Sequence, residues 1–245
     1  MRVGVYIDGF NLYYGGKGQC AHDDPAGWRW LDLRALAHRI TKAHSGWDDP
    51  IISRVVYCTA RVSGRDNPAG EREQDVYLRA LRKSRSVDHI EFGNYVSRLS
   101  RSPLAMPDRK NRPQLVNPQG PFMVKTAQHA DAPDSYFMVQ VARREEKGSD
   151  VNVASHLLVD TLSGDIEAAL VISNDSDLKF PINFARTKIS VGLVNPTKGY
   201  TAGGLSGDAN FGVGGHWWYK LAAADFRDSQ LPNDVSDRIS KPASW

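Results

Sequence analysis

Several acidic residues stand where apolar runs stop abruptly, and these are the side chains best suited to chemistry. Leu170-Val171-Ile172 leads straight into Ser173-Asn174-Asp175-Ser176-Asp177, and Val5-Tyr6-Ile7 leads into Asp8-Gly9-Phe10-Asn11. A short, partly β-branched run followed by small polar residues reads as a buried strand that ends where a helix opens. Asp8, Asp175 and Asp177 then belong at strand carboxyl ends, where open α/β sheets bind ligands. Plainer roles are available: Asp175 as a helix cap with Asp177 in the first turn, Asp8 as a turn residue before Gly9, and Asn11 as a cap. Asp150 is a fourth acid, in the first turn of a helix that feeds the strand before Ser173. Its spacing leaves open which rim of the sheet it occupies, since a helix often starts at the rim opposite the one its strand reaches. Carboxylates gathered together repel one another, and divalent cations relieve that repulsion. Ligation by oxygen alone selects Mg2+ or Mn2+ over zinc.

The elements that would position these acids alternate in type. Residues 2–7, 51–59, 89–96, 169–172 and 189–194 read as strands, and 28–46, 68–84, 150–162 and 180–186 contain helical periodicity. This alternation predicts an α/β fold with a mostly parallel, helix-covered sheet. Residues 15–27 are glycine-rich and read as a loop. Asp160, far along the helix from Asp150, is assigned to the surface. Residues 97–120 hold Pro103, Pro107, Pro113 and Pro118 and read as an inserted loop, with 122–125 and 135–141 as a hairpin beside the third strand. One domain over 1–228, with an insertion at about 97–141 and a mobile tail over 229–245, is the expected organisation.

A chain of 245 residues, 41% hydrophobic, can bury one sizeable core. Its net charge of +3 and mixed 24% charged fraction permit nucleic-acid binding without announcing it. Arg82 and Lys83 crowd one predicted helix end, while Arg98, Arg101, Arg109, Lys110 and Arg112 fill the insert. At the helix end they read first as a solvated face that suits the helix dipole, with phosphate contact as the functional reading, and in the insert as a mobile basic flap near the site, with a solubilising excursion as the plainer role. Cys20 and Cys58 form no CxxC pair and the seven histidines show no paired spacing, so neither a disulfide framework nor a structural zinc site is expected. With no signal-like segment and no apolar run of membrane-spanning length, a cytoplasmic protein without a membrane partner is the expectation.

Three stretches, Tyr6-Ile7-Asp8-Gly9-Phe10-Asn11-Leu12, Lys147-Gly148-Ser149-Asp150 and Ser173-Asn174-Asp175-Ser176-Asp177-Leu178, together resemble the motifs of NYN domains in the PIN-like nuclease superfamily. Ser149 departs from that pattern, which has an apolar residue there. The resemblance covers residues 2 to about 195 and leaves the insert poorly matched. It implies a three-layer α/β/α fold with the acids at one rim, which would place Asp150 with the others. It further implies a metal-dependent ribonuclease with Asp8, Asp150, Asp175 and Asp177 as Mg2+ or Mn2+ ligands, Asn11 steadying them and Lys147 contacting phosphate. Metals would polarise the scissile phosphate and lower the pKa of the attacking water. RNA is the partner this implies, with a homo-oligomer left open. The alternative is a non-catalytic RNA-binding or scaffolding module on the same fold.

Overall fold

The computed structural model describes residues 1–20, 27–65, 67–117 and 123–245. It opens with β1 (Arg2–Asp8), α1 (Gly9–Cys20), α2 (Leu33–His44), β2 (Ile51–Ala60) and α3 (Pro68–Lys83). Next come β3 (His89–Pro103), β4 (Ala105–Pro107), β5 (Pro113–Leu115), β6 (Met138–Lys147) and α4 (Ser149–Ser163). The remainder is β7 (Ala168–Ile172), α5 (Lys179–Arg186), β8 (Ser190–Asn195), β9 (Trp217–Lys220), α6 (Ala223–Arg227), β10 (Asp234–Ser236) and β11 (Ile239–Ser240). The main sheet has the order β6-β3-β2-β1-β7-β8-β9, and every pairing from β3 across to β9 is parallel.

Side-chain alternation along β1 divides the core into two layers. Val3, Val5 and Ile7 pack with Leu12 of α1, Leu33 and Leu36 of α2, and Leu78 and Leu81 of α3. Tyr6 points the other way, against Val153 and Leu157 of α4 and Ile182 and Ala185 of α5. The result is a three-layer α/β/α arrangement with β1 covered on both faces, as expected for parallel strands. The chain first builds outward through β2 to β3, then returns by way of α4 to β7 on the other side of β1. The carboxyl ends of β1 and β7 therefore flank the point where strand order reverses, the usual ligand crevice of such sheets.

Four expectations need correction. Residues 15–20 are the second half of α1, not loop. A β-carbon on Gly15 would lie 2.3 Å from the Pro196 carbonyl oxygen, and one on Gly16 2.6 Å from the Trp28 ring. These glycines are small so that the helix can be approached closely. Residues 21–26 lie outside the described residues. Asp160 is buried, receiving the Tyr6 hydroxyl at 2.7 Å and the Arg54 guanidinium at 3.1 Å. It turns inward because those two groups on the sheet require an anion. The segment 229–245 is packed: Leu231 is buried, its N–H bonds to the Trp30 carbonyl at 2.9 Å, and the Trp30 indole donates to the Pro232 carbonyl at 2.9 Å. Strand β3 runs on to Pro103, beyond residue 96.

Tyr95–Glu145 forms a compact unit of its own, separate from Met1–Asn94 with Glu146–Trp245. Within it β4 and β5 pair antiparallel around a turn fixed by Asp108, which accepts the N–H groups of Lys110 and Arg112 at 2.8 Å each. Of the hairpin expected there, residues 118–122 lie outside the described residues, and Lys125 makes an isolated bridge with Asp131. Among the described residues no helix is long and apolar enough to cross a membrane.

Candidate functional site

Asp8 ends β1 beneath the first turn of α1. One of its oxygens accepts the backbone N–H groups of Phe10 and Asn11 at 3.0 Å each. The other accepts the Asn11 amide at 2.6 Å and the Ser173 hydroxyl at 3.0 Å. Burial pushes its carboxyl pKa up, although the bonds from Asn11 and Ser173 pull it down. Asn11 in turn accepts the Asn174 backbone N–H at 3.1 Å, so Asp8 and Asn11 lace β1 to the loop after β7. The aspartate is thus both turn residue and helix cap, with its lone pairs occupied by its own neighbours.

The other acids are placed by local structure. Asp175 caps the short 3-10 turn Ser176–Leu178 by accepting the Asp177 N–H at 3.0 Å, and Asp177 is exposed in that turn. Asp150 is half-buried in the first turn of α4, and the Ser149 hydroxyl donates to Glu146 at 2.9 Å. Among the described residues, the three-residue group of His, Cys, Asp or Glu close enough to hold an ion is His89, Glu91 and His156, not these aspartates. Lys147 is exposed at the end of β6, and Arg82 and Lys83 are exposed in the last turn of α3. In the inserted unit Arg98 pairs with Glu145 at 3.0 Å and Arg112 with Asp108 at 3.1 Å. Arg101 lies on β3, and Arg109 and Lys110 lie on the β4–β5 turn.

A cavity of about 280 Å3 opens on the α1–α3 face of the sheet. It begins beside Asp8, at Gly9 and Tyr57, and its walls include Tyr13, Trp28, Tyr77, Phe226 and Trp245. Trp245 reaches it because its indole donates to Glu73 of α3 at 3.0 Å and its ring meets those of Trp30 and Tyr77 at centroid distances of 6.1 and 5.7 Å. Arg29 sits in the wall with its guanidinium 5.8 Å from the Trp28 ring centroid and 5.7 Å from that of Trp245. The Trp28 indole N–H and the Arg29 Nε–H are buried and have no hydrogen-bond partner among the described residues. Burial, with the nearby Asp8 charge adding to it, pushes the Tyr57 hydroxyl pKa up to about 12, so this wall stays uncharged near neutrality. Flat aromatic walls and a guanidinium suit a planar ring bearing a carboxylate.

The aromatic residues of this cavity were not legible as one site, because they come from six separated segments, and Trp245 was expected in a mobile tail. His89 and Glu91 carried a signal: two residues apart on a strand, they share a face. His156, 65 residues from Glu91, carried none.

No protein-family model matches the chain, and no solved structure matches it. The whole chain aligns, at 28% identity over 264 residues, with 75% of the 6-hydroxy-3-succinoylpyridine 3-monooxygenase HspA of Pseudomonas putida (strain DSM 28022 / S16). That relative is an oxygenase, and with it the expectations built on the NYN resemblance are overturned: family, metal-dependent ribonuclease activity and the Mg2+ or Mn2+ cofactor all give way. Two of the three short motifs located strand ends correctly, at Asp8 and before Asp175, but a strand end is a feature of the fold and does not fix the chemistry performed there.

Proposed function

We propose that this chain is an oxidoreductase that binds a small aromatic acid of the hydroxypyridine type in the Trp28–Trp245 cavity and supports bonding of one oxygen atom of dioxygen to a ring carbon. The observation that carries this reading is the cavity itself, with the Arg29 guanidinium set among aromatic walls. The similarity, over the whole chain and 75% of the relative, to a monooxygenase of an acid-bearing hydroxypyridine supports it. Arg29 is the residue for the carboxylate, and the Trp28 ring forms part of the aromatic wall. Tyr77 and Trp245 supply faces against which the ring stacks. The volume is at the low end of the roughly 300–1,000 Å3 typical of small-molecule sites, which favours one aromatic ring over a larger ligand.

Monooxygenation places one atom of dioxygen in the substrate and reduces the other to water with two electrons from a reductant. Oxygen is activated in such enzymes by a flavin, haem, copper or non-haem iron. A flavin dinucleotide held at the helix after the first strand does not fit this chain. That turn is Asp8-Gly9-Phe10-Asn11 and lacks the glycine pattern of such sites, and Asp8 already takes the N–H groups of Phe10 and Asn11 that a pyrophosphate would need.

Calorimetric titration of the purified chain with 6-hydroxy-3-succinoylpyridine tests the proposed site. Saturable binding is expected, weakened at least about tenfold in Arg29→Gln, where a charge-assisted contact worth roughly 1.5–3 kcal/mol is lost. Absence of binding, or equal affinity in a folded Arg29→Gln variant, would refute the assignment.

A further inference from the structure

We infer that His89, Glu91 and His156 form a binding site for one divalent transition-metal ion of the zinc class. This is independent of the aromatic cavity, because the triad lies on the α4 face of the sheet and the cavity on the other. His89 and Glu91 project from one face of β3, and His156 faces them from α4. One ligand atom from each falls within 4.8 Å of the others. A single Glu91 oxygen is 2.6 Å from His89 Nε2 and 3.4 Å from His156 Nε2. Ligands at about 2.0–2.2 Å from a tetrahedral ion stand roughly 3.3 Å apart. The His156 spacing meets this, and the His89 spacing does so after a small rotation of the partly exposed Glu91 side chain.

The donor set decides the class of ion. Two imidazoles and one carboxylate suit zinc and its first-row neighbours, whereas magnesium and calcium prefer oxygen alone. The local charge also favours a cation. Arg54, whose guanidinium lies 3.3 Å from His156 Nδ1, is paired with buried Asp160 at 3.1 Å, so those two cancel and Glu91 leaves one net negative charge. Arg54 can only donate, so without an ion His156 Nδ1 accepts and its Nε2 carries the proton towards Glu91. Loading moves that proton to Nδ1, and the Arg54 guanidinium turns aside while keeping Asp160. Side chains of His89, Glu91 and His156 are 45%, 37% and 21% exposed, which gives the ion a path in and leaves a fourth position open to solvent. Without an ion the same three residues are a hydrogen-bonded clasp between β3 and α4.

The test is calorimetry of the full chain, stripped with EDTA, against ZnCl2, with CoCl2 absorption spectra and MgCl2 as the oxygen-preferring control. One zinc per chain is expected, with visible cobalt bands of a four- or five-coordinate site and no response to magnesium. Glu91→Gln and His89→Asn, at a partly exposed and an exposed position, should fold as wild type by circular dichroism and weaken zinc by at least about tenfold. His156→Gln keeps an oxygen for Arg54 and should abolish the cobalt bands. No saturable zinc binding, zinc binding unchanged in folded His89→Asn and Glu91→Gln, or magnesium binding as tightly as zinc would each overturn the site.

Discussion

The Trp245 indole N–H donates to the Glu73 carboxylate at 3.0 Å, and this bond draws the packed 229–245 segment across α3 and over the aromatic cavity. Ser244 donates to the same carboxylate at 2.6 Å. Both bonds favour the ionised acid and hold its pKa below the ordinary 4.5, the Ser244 bond most strongly.

Because the folded pKa is depressed, the stabilisation from Glu73 is complete above the unfolded value near 4.5 and is lost as pH falls through the folded one. Tryptophan emission in the wild type should shift as pH drops below about 4.5, when Trp245 loosens. Glu73→Gln should show a looser Trp245 at neutral pH and no shift across that window. Identical titrations of the two proteins would remove Glu73 as the anchor.

Gly16→Ala is expected to destabilise the fold. Alanine gains up to about 1 kcal/mol of helix propensity. The added carbon would meet the Trp28 ring at 2.6 Å and the Phe226 ring at 2.8 Å, and overpacking against such rings costs roughly 1–3 kcal/mol. Overpacking wins, and Trp28 is displaced into the cavity. Urea denaturation should show a lower midpoint and calorimetry a weaker aromatic ligand, while a midpoint at or above wild type would show that α1 can yield.

Asp160→Asn removes the anion that Arg54 and Tyr6 share. Asp160 is 2% exposed but Arg54 is 36% exposed, so the cost belongs near the lower end of the roughly 3–5 kcal/mol for a broken buried pair. Urea denaturation at pH 7 reads it directly. A loss below about 1 kcal/mol would mean that water reaches Arg54 well enough to replace the pair.

Much of the fold was legible because strand and helix periodicities are local. Residues 2–7 and 169–172 marked the two strands flanking the crevice, and Asp8 and Asp175 marked their ends. What those aspartates do was not legible from motif alone: Asp8 accepts bonds from Phe10, Asn11 and Ser173, and Asp175 accepts the Asp177 N–H. Gly15 and Gly16 misled because a glycine needed for close packing has the same letter as one in a loop. Asp160 was missed because Tyr6 and Arg54 lie on strands distant in sequence. The cavity follows the same rule, since Trp28, Tyr57, Phe226 and Trp245 become one wall only after the sheet has formed.

Oxygen labelling tests the proposed chemistry most directly. Purified chain is incubated with 6-hydroxy-3-succinoylpyridine, NADH or NADPH as reductant, FAD, FMN or ferrous iron in separate arms, and 18O-enriched dioxygen, and the product is read by mass spectrometry. A product carrying one labelled oxygen is expected, lost in a folded Arg29→Gln, Trp28→Phe double variant. A wild type that binds the acid yet yields no labelled product with either reductant, or labels it equally well in the folded double variant, would contradict oxygenation in this cavity.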